Sequence, residues 1–193
     1  MRRVIVSEFV SLDGVMEDPG RTFQQFGSEE QERYQFAELA ASDALLLGRV
    51  TYEEFAAAWP SMMDQYEGPR RAELGEYADM MNGYPKYVVT TTLQEPLEWN
   101  NSTLINGDVA EEITKLKQQP GKDISISGSG SLVNALMRDD LIDEYRLMVL
   151  PIVVRSGKRL FEDGRDQMPL DLVDSKALGT GVVVLTYRPA DEG

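Results

Sequence analysis

The chain is 193 residues long, with 42% hydrophobic residues, 27% charged residues and a formal net charge of −14. That balance suits one soluble domain with a sizeable core, and the acidity sets aside nucleic acid and anionic membrane surfaces, which both call for a basic face. Histidine and cysteine are absent, which excludes disulfides, thiolate chemistry, imidazole bases and ordinary zinc sites, so no metal is expected. An enzyme built from this alphabet works with carboxylates, hydroxyls, backbone groups or a borrowed cofactor. Hydride transfer suits that restriction, because the cofactor carries the hard chemistry.

The first stretch, "MRRVIVSEFVSLDG", starts as a strand and ends in a turn at Asp13-Gly14. Acidic residues follow soon and no small-residue cleavage site precedes them, so it reads as a strand and not a signal peptide; the cytoplasm is the expected compartment. A loop through Pro19 and Gly20 comes next. "SEEQERYQFAELAAS" reads as a helix, with Ser28 and Gln31 at capping-box spacing. "DALLLG" is a continuous apolar run, as in a strand covered on both faces. "RVTYEEFAAAW" reads as a short helix directly after Gly48. Residues 60–84 are the least regular, with a helix expected around Arg71–Met81 and a flap-like role. "PKYVVTTTL" is a strand. "GDVAEEITKLKQQPG" is an amphipathic helix with Asp108 as N-cap and a stop at Pro120-Gly121. "DISIS" is a strand, "SLVNALMRDD" a helix, and "IDEYRLMVLPIVV" a long buried strand. "LDLVDSKAL" and "VVVLTYRP" form a closing hairpin across residues 179–181. This alternation predicts an α/β fold: a three-layer, mostly parallel central sheet with flanking helices and a C-terminal antiparallel hairpin, in one domain spanning residues 1–193.

Three strand ends carry candidate chemistry, because ligands in open α/β sheets bind at the carboxyl ends of the strands. In "SGSGS", Gly128 and Gly130 let backbone approach a ligand, and the N–H groups of Ser129, Gly130, Ser131 and Leu132 face the position of an anion. The same residues also suit a plain tight turn. In "LLLGRVTYEEF", Gly48 ends a strand and Arg49 and Thr51 follow, an arginine fork and a hydroxyl for a phosphate, or else a surface arginine and a helix cap. In "VVTTTL", Thr90 and Thr91 offer hydroxyls to a ribose or phosphate, or simply reflect β-propensity. Phe26, Tyr52 and Trp59 are candidates to stack on a flat ring, although aromatics more often fill cores.

Taken in order and spacing, "VSLDG", "ASDALLLGRVTYEEF", "PKYVVTTTL", "ISGSGSLVNAL" and "LIDEYRLMVLPIVVRSGKRLF" resemble the dihydrofolate-reductase-like superfamily. The nearest branch is the reductase domain at the C-terminus of the bifunctional riboflavin-biosynthesis deaminase-reductase, with its stand-alone relatives. The resemblance implies NADPH-dependent reduction of a pterin- or pyrimidine-like heterocycle and a homodimer. It implies that Gly128, Ser129 and Gly130 lie along the cofactor pyrophosphate, Gly48, Arg49 and Thr51 near the adenosine phosphate, and Thr90 and Thr91 beside the adenosine. The Ser11–Gly14 loop would border nicotinamide and substrate. Two residues are candidates for the proton-donating carboxyl: Asp13 in that loop, and Glu32, sixteen positions before Gly48 on the first helix. Ser129 stands where dihydrofolate reductases carry a second glycine, and no basic residue lies between Arg49 and Arg70 to meet a substrate ribose phosphate. A non-catalytic nucleotide- or pterin-binding protein is the competing reading.

Overall fold

Eight strands form a single sheet in the order β4-β3-β2-β5-β1-β6-β8-β7. The computed structural model describes residues 1–17, 25–162 and 167–190, apart from the side chains of residues 70 and 73. The loop expected through Pro19 and Gly20 lies outside the described residues. In chain order the elements are β1 (Val4–Ser11), α1 (Glu29–Ala40), β2 (Ser42–Gly48), α2 (Arg49–Ala58), a 3-10 helix (Trp59–Gln65) and α3 (Gly68–Gly83). There follow β3 (Lys86–Val89), β4 (Ser102–Ile105), α4 (Val109–Gln118), β5 (Asp123–Ile126), α5 (Gly130–Arg138), β6 (Glu144–Leu150), β7 (Leu170–Ala177) and β8 (Val183–Pro189).

The first six strands pair in parallel, whereas β8 runs antiparallel to β6 and β7 antiparallel to β8. From β1 the chain steps outward through β2, β3 and β4, then returns to insert β5 between β2 and β1, and only then proceeds to β6. That reversal opens a crevice at the carboxyl ends of β2, β5 and β1, the place where a doubly wound sheet takes its ligand.

Side-chain alternation assigns the two faces. On β1, Val4, Val6 and Val10 enter one core with Ile113 and Leu116 of α4 and Val133 and Leu136 of α5. On β2, Ala44 and Leu46 face that core, while Leu45 and Leu47 face a second core with Leu39, Met81 and Trp99. "DALLLG" is therefore apolar throughout because both its faces are covered. A third cluster joins Met148 and Leu150 of β6 to Leu178, Val182 and Val184 of the hairpin. Among the described residues no helix is long and apolar enough to cross a membrane.

Four local expectations change. β4 was not foreseen: "STLI" is four residues at a sheet edge, too short for alternation to stand out. The helix expected at 71–81 runs from Gly68 to Gly83, started by Pro69 in its first turn. β6 stops at Leu150 because Pro151 cannot donate to a ladder, so Val153 and Val154 are exposed and do not extend a long buried strand. Ser28 does cap α1 through Gln31 N (3.2 Å), but the reciprocal half of the capping box is missing: the Gln31 amide is buried with no hydrogen-bond partner.

Candidate active site

A cavity of about 1090 Å³ opens at the carboxyl ends of β1, β2 and β5. Two helix N-termini face it. The first, α2, starts at Arg49 straight after Gly48; the second, α5, starts at Gly130 after the turn at Ser127–Ser129. Neither has a side-chain cap, whereas α1 and α4 are capped by Ser28 and Asp108. An uncapped N-terminus presents unpaired N–H groups and the positive end of the helix dipole, the combination that binds phosphate.

The turn between β5 and α5 is bolted to the β2–α2 junction. Ser129 Oγ accepts from Gly48 N (2.9 Å) and donates to Thr51 Oγ1 (3.0 Å), and Thr51 Oγ1 donates to Gly128 O (2.9 Å). Ser129 replaces a glycine without strain, since its φ is −108. Gly128 is the residue that must be glycine: its φ is +72, and a Cβ there would sit 3.0 Å from Thr51 Cγ2. A Cβ on Gly130 would meet Met16 Sδ at 2.6 Å. At both glycines a side chain, Thr51 or Met16, fills the space a Cβ would take, so the turn packs closely against its neighbours, and the uncapped N-terminus of α5 beside it has the chemistry to take an anion. Arg49 lies at the exposed rim, where its guanidinium pairs with Glu53 at 2.7 Å.

Gly48, Arg49, Thr51, Gly128, Ser129, Gly130, Ser131 and Leu132 all line this cavity, and so does Trp59. The other expected residues lie elsewhere. Thr90 is buried and its Oγ1 accepts from Thr92 N (3.1 Å) and Leu93 N (3.3 Å), which closes its own turn; Thr91 is exposed outside the cavity wall. The Tyr52 hydroxyl accepts from Trp99 N (3.0 Å) inside the second core. Phe26 packs on the third cluster, and Ser11 accepts from Val15 N (2.9 Å) beside the cavity. Glu32 is half-buried on α1, off the cavity wall.

Asp13 is engaged as an anion. Its carboxylate accepts from Ser11 Oγ (2.7 Å), Val154 N (3.0 Å) and Arg155 N (2.9 Å). The Ser11 hydroxyl and then the two amides hold its pKa down to about 2. Held in this way, the Asp13 carboxylate pins the loop after β6, and its charged form is favoured over the neutral form a proton donor needs.

Glu8 was not among the expected residues. It lies in the middle of β1, on the cavity wall, 5% exposed. Its Oε1 is buried without a hydrogen-bond partner. Burial pushes its pKa up to about 8, against the smaller opposing pull of the Gly128 and Ser129 amides. The sequence held a signal for it. Val4, Val6 and Val10 form an inward stripe on β1, and Glu8 is the single polar interruption of that stripe. Buried charge without a partner is costly, so such an interruption marks function more often than packing. The cavity lining also includes Ser7, Phe9, Gln35, Trp59 and Tyr77.

The whole chain is similar to known proteins. The chain is 30% identical over 198 residues to the uncharacterised protein YyaP of Bacillus subtilis (strain 168), covering 97% of this chain and 95% of the relative. It is 29% identical over 185 residues to uncharacterised YwjB of the same organism, covering 94% and 95%. The fold superposes with a TM-score of 0.74 on a proposed riboflavin biosynthesis protein from Shewanella sp. PV-4, at 20% identity and covering 98% and 99% of the two chains. A pyrimidine reductase-like protein from Corynebacterium diphtheriae gives a TM-score of 0.64 at 13% identity, covering 99% and 93%. The family model of the RibD C-terminal domain matches residues 2–184. With the match running from the first strand into the last, this chain belongs to the RibD C-terminal domain family.

Proposed function

We propose that this protein is an NADPH-dependent reductase of a pterin- or pyrimidine-like heterocycle. The observation that carries the reading is the pair of uncapped helix N-termini, α2 and α5, bolted together by Ser129 and Thr51 around one large cavity. A dinucleotide is long and anionic at its middle, so it suits two positive helix ends at one cavity. When bound, NADPH supplies hydride; the chain supplies the cradle, the orientation and the proton. Arg49 has the reach and the planar fork to exchange Glu53 for the adenosine phosphate that distinguishes NADPH from NADH. Past Ser7, Phe9, Gln35 and Trp59, the apolar wall with scattered polar groups suits a flat nitrogen heterocycle. The Tyr77 hydroxyl stays neutral there, pushed up to about 12 by burial. Homodimerisation and a cytoplasmic location belong to the same reading.

The test is a single-turnover assay in which the nicotinamide absorbance is followed with enzyme in excess over dihydrofolate or a phosphoribosylaminouracil. Loss of absorbance with either substrate supports a reductase. Tight NADPH binding with no absorbance loss would identify a binding protein instead.

A further inference from the structure

One carboxyl on the cavity wall is buried against the Gly128 and Ser129 amides. Glu8 is buried, has no ion-pair partner among the described residues, and leaves Oε1 without a hydrogen bond. We infer that Glu8 is the acid of the site: a neutral carboxyl on β1 that protonates the substrate nitrogen as hydride arrives. This rests on the reductase reading above.

The surroundings of Glu8 suit both of its states. As a neutral acid it can donate to a heteroatom in the cavity, where a burial-raised pKa of about 8 keeps it protonated near neutral pH. As the product carboxylate it faces the amides of Gly128 and Ser129, which favour the charged form. The other ionisable groups on the wall do not offer this. Glu38 of α1 is paired with Arg146 at 2.8 Å, and Arg49 of α2 with Glu53. Glu54 of α2 is exposed, as are Glu17, Lys158, Arg159 and Glu162 on the loops. An anionic cofactor at the α5 N-terminus would further oppose ionisation of Glu8.

Glu8 gives its proton to the nitrogen of a substrate C=N while the hydride from NADPH forms the new C–H bond. The π pair of the C=N becomes the N–H bond, the cofactor leaves oxidised as NADP⁺, and the Glu8 carboxylate regains a proton from solvent. Sequence position supports this placing, since Glu8 is three residues before Ser11 on the strand that leads to the Ser11–Gly14 turn.

The experiment compares wild type with Glu8→Gln, which keeps the size of the side chain and its polar atoms but holds no transferable proton. NADPH affinity is read by fluorescence titration, single-turnover reduction of dihydrofolate and a phosphoribosylaminouracil by nicotinamide absorbance, and the carboxyl by infrared difference spectroscopy. The expected result is NADPH affinity within about threefold of wild type, reduction slowed about 100-fold or more, and loss of a neutral-carboxyl band that wild type shows at neutral pH. In wild type alone, the rate should fall about tenfold per pH unit above about 8. Reduction at the wild-type rate in Glu8→Gln, a flat wild-type profile, or absence of the band overturns the role of Glu8 and leaves the reductase reading standing. A wild type that binds NADPH but reduces neither probe overturns the reductase reading, and the role of Glu8 with it.

Discussion

Replacing Glu8 with glutamine should change the pH dependence of folding more than it changes folding itself. In the unfolded chain the carboxyl ionises near its ordinary 4.5, and in the folded protein near 8. A raised carboxyl pKa means that the native state binds the proton more tightly. Its contribution is therefore complete below 4.5 and is lost as pH climbs toward 8. At about 1.4 kcal/mol per pH unit, that interval makes about 5 kcal/mol, which is the penalty for burying the anion. Glutamine has no such interval. Urea unfolding of both proteins between about pH 5 and pH 9 should give a stability difference that swings toward Glu8→Gln by several kcal/mol as pH rises. Other titrating groups, such as Lys86 with its pKa lowered to about 8 by burial, cancel in the difference. Parallel stability curves for the two proteins would refute the claim that Glu8 is a buried, unpaired acid.

Other substitutions probe the cradle. Gly128→Ala puts a Cβ in a left-handed residue against Thr51 and should cost about 1–2 kcal/mol in unfolding experiments, with weaker NADPH binding. Ser129→Ala leaves Gly48 N without its acceptor; a loss of about 1–3 kcal/mol in thermal or urea unfolding is expected. Arg49→Ala should weaken NADPH more than NADH by fluorescence titration, because only NADPH carries the extra phosphate; equal losses would remove that role. Asp13→Ala should free the loop at Val154 and Arg155, seen as faster amide exchange there. With its folded pKa held near 2, the stabilising effect of Asp13 persists above 3.8 and disappears only as pH falls through about 2.

The order of elements was legible in the sequence because turn and cap residues punctuate it and several strands and helices carry a clear apolar pattern. "DALLLG" and "VIVSEFVS" show their burial in their spacing, and Asp108 and Ser28 mark two helix starts. β4 escaped because four edge residues carry too little pattern. At the site, the strand ends at Gly48 and Gly128 were found because glycines and hydroxyl residues at helix starts have a direct physical use. Thr90, Tyr52 and Phe26 are polar or aromatic in composition but engaged inside the fold, which only tertiary contacts reveal. Asp13 drew attention from a motif, yet its carboxylate is spent on backbone amides of a segment more than a hundred residues away. Glu8 lay in plain view within the β1 stripe. Its meaning depends on which face β1 turns to the crevice and on Glu8 having no ion-pair partner among the described residues, and both are properties of the assembled sheet.

The helix ends of α2 and α5 are proposed to hold a dinucleotide in this cavity. Electron density from crystals soaked with NADPH tests it most directly. The account predicts the pyrophosphate against the N–H groups of Gly130, Ser131 and Leu132, the adenosine phosphate beside Arg49, and the nicotinamide within reach of Glu8. Density for NADPH bound away from the Gly128–Leu132 turn, or its absence at saturating cofactor, would contradict it.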